Sequence, residues 1–433
     1  MTPPLGSFPP YQWPARWLSR AVAPWRALAA GVFYGARAAG ATVSLFRASR
    51  RAVAVLRTDG AGDAILTEPL IRSLARHFDG TDVHLWAPDG AVALFESHAK
   101  IARCIAVPRG FKEGNRRIFW SLSWRARLGY QLGRHRYDLA IYPPVDPEPL
   151  GAWLFAQIRA AEKWHNAGTT LNQFDWQRNW TRQFATRTIA PRPTGGHELL
   201  HNAHFAEQWG ATPDNTANTA NTDRPQLPLS QRALTYAGVH IGAARHAVRR
   251  SRAAGLIGIV AAGSATINQW PIDKWVATAR RLWEQHTLLP ALIGGPADEA
   301  FLQQLSRRLH DIPHHIFPTD CDIAVAAAVV SRLDGLITID TGLAHAAAAF
   351  DLPSVVLVTG GMPGRFWPWP LATRSIALTK PVPCAGCNYR CTQEAAHCIT
   401  DLSPEWVVDA LMRAMKSSVV LSQSPRKQYR HAG

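Results

Sequence analysis

A Gly-rich, acidic turn occurs twice in this chain, once in each half, and each time it directly follows a short apolar run. The first reads Arg57-Thr58-Asp59-Gly60-Ala61-Gly62-Asp63, after Ala52-Val53-Ala54-Val55-Leu56. The second reads Asp340-Thr341-Gly342-Leu343-Ala344-His345, after Leu336-Ile337-Thr338-Ile339. Both fit a buried strand handing over to a helix, and in open parallel sheets ligands bind beyond the carboxyl ends of the strands. Two such sheets facing a central cleft would carry reactive groups on both walls. At 433 residues the chain is too long for one hydrophobic core, so two domains are expected.

Strand and helix signals alternate in two series. The first places strands at 52–56, 82–87, 101–107 and 137–142, with helices near 63–77, 89–98 and 121–135. The second places strands at 256–262, 288–294, 314–317, 335–339 and 354–358, with helices at 273–286, 298–309, 322–332 and 342–350. Such alternation predicts parallel sheets and an α/β class. Between the series, an Asn/Thr/Ala-rich patch and two prolines, Pro225 and Pro228, break the pattern. The expected organisation is an N-terminal extension (1–50), a first domain (51–230), an interdomain linker region (231–255), a second domain (256–416) and a basic tail (417–433).

The formal net charge of +16 predicts attraction to something acidic. No RNP-like motif, zinc-finger helix or Lys-rich tail is present, so nucleic acid is not the expected partner. Residues 1–50 mix Trp13, Trp17, Trp25, Phe33, Tyr34 and Phe46 with Arg16, Arg20, Arg26, Arg37, Arg47 and Arg50. They contain no run of about 18 uncharged apolar residues, which argues against a transmembrane span. Two readings stand: an amphipathic segment at an anionic inner-leaflet surface, or a loose extension. Of six cysteines, four crowd into Cys384-x2-Cys387-x3-Cys391-x6-Cys398. With no secretory signal, a reduced cytoplasmic setting is expected. Four thiols at this spacing are either a structural zinc or iron site or a reduced cluster that only shapes a loop.

The chemistry concentrates at strand ends. Gly60 and Gly62 allow close backbone approach, but Ile65 stands where a dinucleotide fingerprint needs its third glycine. Asp63 opens the helix instead, either complementing the helix dipole or serving as a general base. Asp340 and Thr341 supply an acceptor and a donor, Gly342 admits a phosphate or ribose, and His345 follows one turn on. Gly263, Ser264 and Thr266 form a small hydroxylated loop suited to a diphosphate. Asp298 and Glu299 either reach a ribose or cap their own helix.

These segments resemble glycosyltransferase family nine, the bacterial heptosyltransferases of the lipopolysaccharide inner core. The resemblance runs over residues 51–413. It is carried by Val53–Arg57 with Gly62-Asp63 and Thr67-Glu68-Pro69, by Gly263-Ser264 with Trp270-Pro271, and by Leu292–Pro296. Asp340–His345 and the stretch from Pro383 through the cysteines to Ser403-Pro404-Glu405 complete it. The resemblance implies a GT-B fold of two Rossmann-like domains. It implies inverting transfer of a sugar from a nucleotide-sugar, typically ADP-heptose, to a lipid-linked or core oligosaccharide, with no metal required. Asp63 matches the family's general base. Asp340, Thr341, Gly342 and His345 match the donor side, with Ser264 and Thr266 by the phosphates and Asp298 or Glu299 by the nucleoside. Peripheral attachment to the inner membrane follows from such an acceptor.

One departure stands out: the family's basic residue two positions before the Trp-Pro pair is Asn268 here. Lys274 or an Arg of the first domain would then have to offset the leaving-group charge. The alternatives are a protein O-heptosyltransferase, a nucleotide-sugar epimerase on the same fold, and a non-catalytic nucleotide-sugar binder.

Overall fold

The structure, a computed structural model, describes residues 23–45, 51–107, 121–169, 174–193, 196–210, 224–263, 266–370 and 374–421. It divides into two compact units, Met1–Pro225 and Gln226–Gly433. The first contains six parallel strands: β1 (Ala52–Leu56), β2 (Asp82–Pro88), β3 (Arg103–Val107), β4 (Tyr137–Tyr142), β5 (Ala160–Asn166) and β6 (Arg187–Ile189), in the order β3-β2-β1-β4-β5-β6. The second contains β7 (Gly255–Val260), β8 (Leu288–Leu292), β9 (His315–Ile316), β10 (Gly335–Ile339), β11 (Ser354–Leu357) and β12 (Ser375–Leu378), in the order β12-β11-β10-β7-β8-β9. Counted within its own unit, the second order is the first read from the opposite edge. These are the two Rossmann-like sheets of the expected GT-B class.

In each sheet the chain starts at the centre, winds to one edge, returns and winds to the other. The reversal falls between β1 and β4 in the first unit and between β7 and β10 in the second. Loops leaving the two strands at such a point diverge to opposite faces and open a crevice at the carboxyl end. The two Gly-rich acidic turns therefore each border a switch point. The central strands are formed by short apolar runs, and every residue of β1, β7 and β10 is buried. Buried on both faces, they need no alternation of polar and apolar residues.

The helices that bear on function are α1 (Ala23–Leu45), α2 (Ala61–His77), α3 (Leu122–Arg134), α4 (Pro149–Gln157), α5 (Asp175–Arg182), α6 (Glu198–Ala206), α7 (Gln231–Ser251), α8 (Ile272–His286), α9 (Glu299–Arg308), α10 (Ile323–Val330), α11 (Gly342–Ala349) and α12 (Pro404–Leu421). Ser403 caps α12, its hydroxyl accepting from the Trp406 N–H. Leu421 is its last residue, so the helix runs a few residues into the expected tail.

Two expectations are corrected. The 231–255 stretch is no irregular linker: α7 fills most of it and belongs to the second unit. Ala233, Ala237, Ile241 and Ala244 form its buried stripe, and Arg245 bonds to Asp334 at 2.6 and 3.0 Å. Nor is 23–45 a loose extension. α1 packs on α3 through Ala29 and Phe33, and Phe33 meets Trp153 at 5.7 Å. Arg37 turns inward onto Gln157, donating to its side-chain oxygen and, at 2.9 Å, to its carbonyl. The helices touch backbone to backbone because glycines line the contact. A Cβ on Gly133 would fall 1.9 Å from the Arg37 carbonyl oxygen, and one on Gly129 would fall 2.3 Å from that of Phe33. Residues 1–22 and 46–50, with Trp13, Trp17 and Phe46, lie outside the described residues, as does the patch at 211–223.

This packing makes an opposed pair of predictions. Gly133→Ala should destabilise the protein by about 1–3 kcal/mol in denaturant titration, because the helices must separate. Gly31→Ala, on the partner helix α1 with nothing within 4 Å, should stabilise it by up to about 1 kcal/mol.

Candidate active site

In the first unit the site is built on a buried guanidinium. Arg57 follows β1 and is almost wholly enclosed. Its Nε donates to Asp59 Oδ1 at 2.9 Å, one terminal nitrogen to Glu198 Oε1 at 2.7 Å, and the other to Asp63 Oδ1 at 3.0 Å. Glu198 is the first residue of α6, lies 141 positions away in sequence and is fully buried. It was not expected, since nothing local in the sequence links it to the Gly-rich turn. Gly60 forms the start of α2 with no side-chain cap, and Asp63 sits in its first turn. Asp63 keeps about a fifth of its side-chain surface, and its second oxygen takes no partner among the described residues. One oxygen is therefore fixed and the other is open, the arrangement that proton abstraction needs.

One cation faces three carboxylates here. Burial works against the Arg57 charge, but Asp59, Glu198 and Asp63 together outweigh it and hold the guanidinium firmly protonated. Enclosure pushes the Asp59 carboxyl up to about 7; Arg57 opposes this, while Asp63 and Glu198 reinforce it. The nearby Thr67-Glu68-Pro69 motif is structural. Thr67 donates to the Asp63 carbonyl at 2.9 Å, and buried Glu68 accepts from Arg72 at 2.7 Å and pairs with His98 at 2.9 Å.

In the second unit, the loops after β7 and β10 press together. A Cβ on Gly263 would come within 3.2 Å of the Thr341 methyl. Ser264 lies outside the described residues, as does the side chain of Thr266. Thr341 starts α11 without a side-chain cap, and no acidic residue occupies the first turn. Free N–H groups and the positive end of the helix dipole make that turn a seat for an anion. His345 does not face it. The ring is buried, its Nδ1 accepts from Trp369 Nε1 at 3.0 Å, and its Nε2 faces Asp340 Oδ1 at 3.5 Å. Asp340 Oδ1 also accepts from Trp367 Nε1 at 2.8 Å.

Other expected donor residues are partly committed. Asp298 folds back to accept from the Gly295 N–H at 2.9 Å, closing its own turn, while Glu299 opens α9 with an exposed side chain. Lys274 is not the missing cation, because its ammonium is held by the carbonyls of Thr400 and Leu402 at 2.6 and 2.8 Å. Asn268 is buried with its side-chain oxygen unpartnered. Trp270 packs edge-on against Trp275 at 5.0 Å and belongs to the core. A small apolar hollow lined by Tyr236, Ile293, Phe317, Pro318, Val325 and Val329 lies beyond the ends of β8 and β9. Its signal was hidden because its residues come from α7, α10 and two strand ends.

The cysteines are not gathered into a metal site. No three Cys, His, Asp or Glu side chains among the described residues are arranged to hold an ion. Cys384, Cys387 and Cys391 are half-buried thiols, and Cys398 is buried on a separate short helix. The turns between them instead brace another loop: Gly386 N–H bonds to the Gly360 carbonyl at 2.7 Å and Asn388 N–H to that of Gly361 at 2.9 Å.

The switch-point geometry agrees with sequence comparison. The model of glycosyltransferase family 9 (heptosyltransferase) matches residues 125–396. The chain belongs to this family. Lipopolysaccharide heptosyltransferase 1 of Pseudomonas aeruginosa is 23% identical over 381 residues, covering 83% of this chain and 96% of that protein. Among solved structures, a family 9 glycosyltransferase from Veillonella parvula superposes with a TM-score of 0.65 at 16% identity, over 86% of this chain and 99% of its own. The ADP-heptose lipopolysaccharide heptosyltransferase II of E. coli gives 0.60, also at 16% identity, over 85% and 99%. At such identities the structural likeness establishes the fold.

The raised Asp59 predicts a pH dependence. Unfolded, an Asp titrates near 3.9; folded, Asp59 binds its proton up to about 7. Between these values the native state binds more protons, so this group's contribution to stability falls as pH rises through that window. Asp59→Asn should lose that dependence. The melting temperature of the wild type relative to the variant should be higher at pH 5 than at pH 8, as read by differential scanning calorimetry.

Proposed function

We propose that the protein transfers a heptosyl residue from ADP-heptose to a lipopolysaccharide-core acceptor with inversion at the anomeric carbon. The observation that carries this reading is Asp63, one oxygen clamped by Arg57 and the other open at the carboxyl end of a switch-point strand. The two helix starts differ in charge, and that assigns the roles. α2 begins with a carboxylate and would repel a diphosphate; α11 begins without one. The first domain therefore takes the acceptor hydroxyl and the second takes the donor.

In the step itself, Asp63 accepts the proton of the acceptor hydroxyl. That oxygen forms a bond to the anomeric carbon as the bond to the phosphate oxygen breaks, and the electron pair leaves with ADP. The N–H groups at the start of α11 hold the departing charge. Asp340 Oδ2 accepts from a hydroxyl of the transferred sugar, and Glu299 reaches the ribose. Asn268 adds an amide, not a cation. With Lys274 held elsewhere, the leaving group depends on backbone N–H groups more than a Lys-bearing site would.

The related names support the donor and acceptor: one relative is a lipopolysaccharide heptosyltransferase, and one solved structure is an ADP-heptose enzyme. The test is ADP release and product analysis with ADP-heptose and heptose-free core acceptor in the presence of EDTA. Transfer with an inverted anomeric centre is expected. Asp63→Asn should lower kcat by about 10²–10⁴-fold with little change in donor affinity. An Asp63→Asn enzyme as active as the wild type contradicts the assignment. Donor binding without turnover in the wild type would favour the non-catalytic reading, to which Asn268 lends support.

Attachment at the cytoplasmic face of the inner membrane is part of this reading, supported by α1. Among side chains 27–44 the single charge, Arg37, turns inward, while Leu28, Tyr34 and Val43 are 51%, 38% and 39% exposed. Arginines precede the helix at 16 and 20, stand in its first turn at 26, and follow it at 47, 50 and 51. An uncharged helix face between arginines suits the interface of an anionic bilayer. The full chain should float with phosphatidylglycerol-containing vesicles, and Leu28→Glu with Val43→Glu should abolish this. Equal flotation of that double variant contradicts it.

A further inference from the structure

We propose that Trp367 and Trp369 are positioning residues for the donor sugar, acting through Asp340 and His345. The proposal rests on reading Asp340 as the acceptor of a donor-sugar hydroxyl. An indole N–H can only donate. Trp369 gives its hydrogen to His345 Nδ1 at 3.0 Å, so in the neutral ring the proton sits on Nε2, which is turned towards Asp340 Oδ1. Trp367 gives its own hydrogen to that same Oδ1 at 2.8 Å. One oxygen of Asp340 thus faces two N–H groups, and Oδ2 takes no partner among the described residues. A carboxylate fixed this way presents a single acceptor in one direction.

The three rings hold each other in place. His345 stacks on Trp367 with centroids 5.0 Å apart and on Trp369 at 5.7 Å, and all three side chains are buried. The loop bearing the tryptophans begins at Gly360-Gly361, whose carbonyls accept the Gly386 and Asn388 N–H groups. The Cys-rich turns therefore support the loop, the loop supports the aromatic stack, and the stack orients Asp340. A merely structural stack would need no N–H on either ring. The two hydrogen bonds are what distinguish the proposal from core packing.

Trp→Phe substitutions keep a ring and remove only that hydrogen. In the full chain with 15N-labelled histidine, assigned by loss of the signal in His345→Gln, the wild type should show His345 protonated on Nε2 and bare at Nδ1. Trp369→Phe should relax this preference. Trp367→Phe should raise the donor KM about tenfold or more, the scale of one lost bond to a charged acceptor, with kcat and acceptor KM nearly unchanged. Its melting temperature should stay close to that of the wild type. A wild-type His345 protonated on Nδ1, or a Trp367→Phe enzyme with unaltered donor KM, overturns the proposal; so does a variant losing kcat and both KM values together with stability. If the wild type binds ADP-heptose without transferring it, the catalytic reading fails alone, and dissociation constants from calorimetry replace KM in the comparison. If it binds no nucleotide-sugar, both fail.

Discussion

A guanidinium removed from water and surrounded by three carboxylates is the interaction on which the first domain's site depends. Arg57 has no way to shed its charge, and burying it unpaired would be prohibitive. Asp59, Asp63 and Glu198 meet its three donating edges. The arrangement joins the end of β1 and the adjacent first turn of α2 to the start of α6, 141 positions away in sequence. It also fixes Asp63, whose second oxygen stays open. A long, flexible lysine at position 57 would supply the charge but not the planar fork that holds three partners at once.

The second domain reaches a similar end by different means. There the carboxylate at the switch point, Asp340, is held by the Trp367 indole N–H and faced by His345 Nε2 rather than by a cation. The contrast has a physical logic. Under the proposed function, a cation buried beside Asp340 would neutralise an acceptor of sugar hydroxyls, whereas neutral donors orient it and leave its charge. Under the same proposal the diphosphate would depend on α11, whose start is uncapped and acid-free.

Much of this was legible in the sequence. The central strands announced themselves as runs such as Ala52–Leu56 and Gly335–Ile339, because a strand buried on both faces must be apolar throughout. The Gly-rich acidic turns pointed to both switch points for the same reason. What stayed hidden was made by tertiary contact. β5 reads Ala-Ala-Glu-Lys-Trp-His-Asn, too polar to recognise as an inner strand. Its Lys163 is buried against the Ala156 carbonyl and the Phe155 ring, and burial pushes the ammonium down to about 7. Glu198 and the Trp367–Trp369 pair carry no local motif; only the fold brings them to Arg57 and His345. α7 was read as a linker region because the prolines and the Asn/Thr/Ala patch precede it, although the buried stripe Ala233, Ala237, Ile241 and Ala244 has helical spacing. The cysteine spacing suggested a metal, but left-handed backbone at Gly386, Asn388 and Tyr389 turns this segment onto the Gly360 loop instead.

The account stands or falls on whether Arg57 sets the geometry of Asp63. A double-mutant cycle in heptosyl transfer measures this directly, using Arg57→Lys, Asp63→Asn and the combined variant. If the fork positions the base, Arg57→Lys alone should cost much of what Asp63→Asn costs, and the double variant should be no slower than Asp63→Asn. Losses that simply multiply would show two independent groups and contradict the central claim.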